Sequence, residues 1–120
     1  MANKWQALQS FWESFGIPAY DEATVPDNAV MPYITYSAIV DRLDNPIAMT
    51  ANIWYRSSSW VEVSQKAEEI SDELIQVKTI PLDTGFLYLT RGNPFAQRIA
   101  DEDDAVRRIY IVLMAEYLAP

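Results

Sequence analysis

The sequence predicts an α+β domain: a four-stranded, mainly antiparallel sheet with two helices on one face, in the order α-β-β-α-β-β. Three observations carry this. Two segments show apolar residues at helical spacing, Asn3 to Phe15 and Ser59 to Gln76. Four show two-residue alternation rich in aromatic and β-branched residues. The turn residues between strands fall where antiparallel connections need them.

The first helix carries Trp5, Leu8, Phe11, Trp12 and Phe15 as one stripe. Gly16 suits the left-handed position after its last turn, and Pro18 stops continuation. From Ala19 to Pro32, acidic residues, Asn and prolines predict an extended loop. A strand over Pro32–Val40 follows, with Ile34 and Tyr36 on one face and Tyr33 and Thr35 on the other. The connection Asp41-Arg42-Leu43-Asp44-Asn45-Pro46 has turn chemistry and leads through Ile47 to a strand over Ala48–Arg56. There, Ala51, Ile53 and Tyr55 oppose Asn52 and Trp54.

Ser59 and Glu62 have capping-box spacing at the start of the second helix. Val63, Ala67, Ile70 and Leu74 form its buried stripe, and Glu62 and Lys66 are spaced as an ion pair. Pro81 to Gly85 reads as a turn into a strand over Phe86–Arg91, which Gly92-Asn93-Pro94 should break. After the acidic run Asp101 to Asp104, the stretch from Ala105 to Tyr117 reads as a long strand that is apolar on both faces. Ile109, Ile111 and Leu113 point to the predicted core. Tyr110, Val112 and Met114 point away, together with Tyr33, Trp54, Phe86 and Tyr88. Helices on one side bury one sheet face, so the second requires a neighbour, a ligand or a partner subunit.

With 120 residues, half of them hydrophobic, the chain is expected to form one domain spanning residues 1–120. It has no Cys and no His, which removes thiolate chemistry, disulfides and the commonest general base. The three glycines are scattered, so no phosphate-cradling loop is present. Ser57 to Ser59 read as capping residues and the acidic run as a solvated corner. The expectation is therefore a protein with no enzymatic activity, cofactor or metal. A net charge of −8 disfavours nucleic acid and anionic membrane as adhesive partners. The first residues lack the continuous apolar core of a signal peptide, and no apolar run reaches membrane-spanning length.

Arg107 and Arg108 open the last strand after four acids. Neighbouring strand positions face opposite ways. One arginine is expected to neutralise the acidic corner; the other is within the chemistry of a bidentate contact to a carboxylate on a neighbouring subunit, set against an ordinary, weak surface ion pair.

The first helix, the hairpin with ITYS, the WYR strand running into SSSWVEVSQKAEEISDEL, and the closing DEDDAVRRIYIVLMAEYL resemble tail terminator proteins of long-tailed bacteriophages and prophages. These are also called tail completion or head-to-tail joining proteins. The resemblance implies a ring, typically a hexamer of the chain with itself, on the head-proximal end of the tail tube. Such a ring stops tube polymerisation and presents the surface that docks to head connector proteins. DNA passes through as cargo, without sequence-specific contact. The implied location is the virion tail or neck, with the host cytoplasm as the site of assembly. Another neck protein, such as a stopper or adaptor, or a small ligand-binding α+β module fits the same residues. The candidate interface comprises Asp41, Arg42, Leu43, Asp44, Ile47, Trp54, Tyr88, Arg107, Arg108, Tyr110 and Met114.

Overall fold

The computed structural model describes residues 3–37, 47–83 and 85–118. Among these, the elements are α1 (Lys4–Glu13), β1 (Ala19–Asp21), β2 (Tyr33–Tyr36), β3 (Ile47–Arg56), α2 (Val61–Glu73), β4 (Lys78–Leu82), β5 (Gly85–Ile99) and β6 (Val106–Leu118). The strands form one sheet in the order β1-β2-β3-β6-β5-β4. It is mixed, because β1 runs parallel to β2 while all other neighbours are antiparallel.

This corrects the expected four-stranded, α-β-β-α-β-β sheet. The six strands curl into a half-barrel, and strand dominates the chain. Two strands lay outside the expected set. β1 sits inside the segment read as loop, where three residues leave no period to detect. β4 includes Pro81, read as part of a turn; as an edge strand it tolerates a residue that cannot donate to a ladder. The reversal falls between Leu82 and Gly85, which pair across it.

β5 is also longer than expected. Gly92-Asn93-Pro94 does not end it; the register against β6 shifts between Arg91 and Ala96, and pairing resumes from Ala96 to Ile99. Extra residues on one strand are absorbed as a bulge, which bends the strand without terminating it.

The core residues do alternate as predicted. Ile34, Ile53, Leu89, Ile111 and Leu113 are at most 1% exposed, and Leu87 and Ile109 are also buried. Leu8, Phe11, Trp12 and Phe15 join this cluster together with Val63, Ala67, Ile70 and Leu74 of the second helical segment. Trp5, expected in the stripe, is instead exposed; Ala7 takes the inward position. Trp12 stacks on Tyr36 at 6.2 Å between centroids, and Tyr36 donates its hydroxyl to Gln9 Oε1. The first helix is thereby fixed to β2.

Helix capping differs from expectation. The capping box is on α1, where Asn3 Oδ1 accepts from the Gln6 amide and Gln6 Oε1 accepts from the Asn3 amide. At α2 the N-cap is Trp60, with no side-chain bond; Ser59 Oγ accepts only from Val61 N at 3.1 Å. Lys66 does not pair with Glu62. It donates to the Phe15 carbonyl at 2.6 Å and to Glu69 at 3.0 Å, tying α2 to the end of the α1 segment. A cation belongs at those free carbonyls. Gly16 adopts φ +85°, as expected of the residue that turns the chain after α1.

Candidate functional site

β6 lies between β3 and β5, so its outward side chains form the centre line of the second sheet face. Tyr110, Val112 and Met114 are half-buried there, flanked in register by Asn52 and Gln97, by Thr50, and by Ala48 and Thr90. None of the outward aromatic residues Tyr33, Trp54, Phe86, Tyr88 and Tyr110 belongs to the core under the helices. Among the described residues no helix packs over this face.

One end of the face is an aromatic and polar cluster. Tyr20 and Tyr33 meet edge to face at 5.7 Å, and Tyr33 meets Trp54 at 6.5 Å. Trp54 donates Nε1–H to Thr35 Oγ1 at 2.9 Å. Arg108 donates Nε–H to Asn52 Oδ1 at 2.7 Å and lays its guanidinium 4.9 Å from the Trp54 ring centroid. These two contacts keep a positive charge on this face.

The other end is a groove of about 450 Å³, lined by Val77, Thr79, Tyr88, Thr90, Met114, Glu116 and Leu118. Phe86 stacks on Tyr88 and, with Val77 and Leu118, is about half exposed. Large apolar side chains gathered in one place mark an interaction surface, whereas single ones do not.

Arg107 points to the opposite side of β6. Its Nη1 donates to the Asp104 carbonyl at 2.7 Å, its Nη2 to the Ser58 carbonyl at 3.0 Å, and its guanidinium lies over Trp60. Its buried Nε has no partner. It therefore holds the acidic corner by main-chain carbonyls. The corner's ion pair is made by Arg56, with Asp103 at 3.4 Å. The Ala105 amide holds the Asp103 carboxyl below its ordinary range; desolvation opposes it, and the Arg56 contact adds a further, smaller lowering.

Trp54, Tyr88, Arg108, Tyr110 and Met114 thus share one face, and Arg107 stands apart. Ile47 begins β3 opposite Ala115, while Asp41, Arg42, Leu43 and Asp44 lie outside the described residues. Asn52, Thr35 and Glu116 were not anticipated. Their alternation with core positions placed them outward, but nothing in the sequence pairs Asn52 with Arg108, 56 residues away.

Among the described residues, no group of three or more acidic side chains is arranged to hold a metal ion, and no helix is long and apolar enough to cross a membrane. No protein-family model matches the chain, and no curated protein matches it. Among solved structures, a chain of the virion of the native gene transfer agent (GTA) particle superposes with a TM-score of 0.58. That match covers 96% of this chain and 91% of the other at 17% identity. At that identity the likeness shows a common fold, extending over nearly the whole length of both chains.

Proposed function

We propose that the chain is a structural protein of a phage-like virion, without enzymatic activity, that acts as a tail terminator. In this reading copies form a ring, expected to be a hexamer, on the head-proximal end of the tail tube. The ring ends tube growth and offers the surface to which head connector proteins dock. The observation that carries the reading is the uncovered outer sheet face, on a fold shared with a chain of a virion particle. A face carrying Trp54, Arg108, Tyr110 and Met114 suits burial between subunits, where aromatic residues, Met and Arg are enriched.

Charge fits the same role. Six copies at −8 carry about −48, which repels DNA within a Debye length of roughly 8 Å and lets it pass without adhering.

The test is to add the purified chain to assembled, unterminated tail tubes and image them. The expected result is a ring on the head-proximal end and loss of further subunit addition. Binding only to portal-bearing heads would assign the chain to another neck role, such as stopper or adaptor. The groove beside Tyr88 and Met114 supports one reading of a different class, a small-ligand module. That reading predicts a saturable rise in melting temperature with a metabolite library and no binding to tubes.

A further inference from the structure

Among the described residues the sheet has three open edges, and two are blunted. β1 is three residues long, and its Ala19 carbonyl accepts from Gln9 Nε2 at 2.8 Å. β4 carries Lys78 and Pro81, both of which discourage strand addition. The third edge lies on β5. β4 pairs with Gly85–Leu89, so among the described residues the lower half of β5 has β6 on one side and no strand on the other. Within it, Ala96 to Ile99 form a regular ladder with β6, contain neither Lys nor Pro, and carry one charge, Arg98, which lies over the Trp60 ring. Ala96, Gln97 and Arg98 are exposed.

Beside this edge the core-side helix leaves room. One cleft of about 230 Å³ separates Ser64, Ala67 and Glu68 of α2 from Ala96, Gln97 and Arg98. It shares Ser64, Glu68 and Arg98 with a second cleft, of about 360 Å³, which reaches Trp60 and Val61. Val61, Ser64, Gln65 and Glu68 are spaced three, four and seven residues along α2, so one stripe of the helix walls the channel. Val61 is 58% exposed, and Arg98 lies over the Trp60 ring at 5.0 Å. The acids of α2 are partly engaged, Glu69 by Lys66 and Glu73 by Lys78; Glu68 is the acid that lines both clefts, facing Arg98 across them.

We propose that the lower edge of β5 accepts an extended segment of a different protein of the particle as a seventh strand. Main-chain hydrogen bonds to Ala96–Ile99 supply attachment, and alternate side chains enter the channel along α2. Glu68 selects a segment with Lys or Arg opposite it, and Val61 and Trp60 select an apolar residue against them. A second copy of this chain is disfavoured as occupant, because apposing two such edges brings two acidic α2 helices together. The inference rests on the virion assignment proposed above.

The test places a photo-crosslinking amino acid at Gln97 in phage-produced, intact particles and identifies the adduct by mass spectrometry. The expected adduct joins Gln97 to a basic segment of another virion protein, and Glu68→Lys in the same background reduces its yield at least severalfold. A crosslink to a second copy of this chain, or particles that contain the chain with no adduct, overturns the inference and leaves the virion assignment standing. Particles that lack the chain altogether overturn both.

Discussion

A Cβ placed on Gly92 would lie 2.7 Å from Val112 Cγ1 and 2.7 Å from Val112 O. The two longest strands therefore leave no room for a side chain at Gly92, just where β5 changes register against β6. The segment that reads as a strand breaker is the point at which the long β5–β6 hairpin bends, and Gly is required there by space.

Gly92→Ala should accordingly destabilise the fold by about 1–3 kcal/mol, since Val112 and its backbone must move to admit a methyl group. Urea unfolding checks this. A midpoint equal to wild type would show that the strands separate there without cost.

The two faces of β6 should respond oppositely to charge. Ile111 is completely buried, and Ile111→Asp is expected to unfold the domain, at a cost of at least about 4 kcal/mol for an unpaired carboxylate in the core. Tyr110 is half-buried on the outer face, and Tyr110→Asp should leave the far-ultraviolet circular dichroism unchanged while abolishing ring formation on tubes. Normal capping by the Tyr110 variant would remove that residue from the interface.

Alkaline pH should weaken the fold through its core tyrosines. Burial, followed by Glu62 and Glu69, raises the Tyr55 hydroxyl above its ordinary 10.0; burial, followed by Asp21 and Glu13, does the same for Tyr36. A folded-state value above the unfolded one favours the native state fully below about pH 10, and that contribution is lost as pH rises through the folded value. Thermal melts of Tyr55→Phe should therefore lose less between pH 8 and pH 11 than wild type does. Parallel curves would count against this assignment.

Arg107 is expected to organise the acidic corner, since it bonds the Asp104 and Ser58 carbonyls. Arg107→Ala should speed amide exchange from Asp101 to Ala105 and lower stability by about 1–3 kcal/mol, a range set by hydrogen bonds to a charged donor. Unchanged exchange at the Ala105 amide would assign the corner's order to Asp103 and Arg56 instead.

What was legible in the sequence follows from what has a period. Alternation placed Ile109, Ile111 and Leu113 inward and Tyr110, Val112 and Met114 outward, and helical spacing found Val63, Ala67 and Ile70. Irregular features were not legible. β1 is too short to alternate, Pro81 lies in an edge strand, and the Gly92–Pro94 turn signals are absorbed by a bulge. Ser59 and Glu62 match a capping box, yet the helix begins later and Trp60 holds the N-cap. The candidate face was legible as a row of outward aromatics. Its internal bonds, Arg108 to Asn52 and Trp54 to Thr35, depend on which strands become neighbours, which local pattern does not encode.

Hydroxyl-radical footprinting of Trp54, Tyr88, Tyr110 and Met114, in the isolated chain and in intact particles, tests the central claim most directly. Coverage of the outer sheet face by neighbouring subunits predicts a severalfold fall in modification of all four on assembly, with Trp5 as an exposed internal reference. Equal modification in both states, in particles shown to contain the chain, would contradict it.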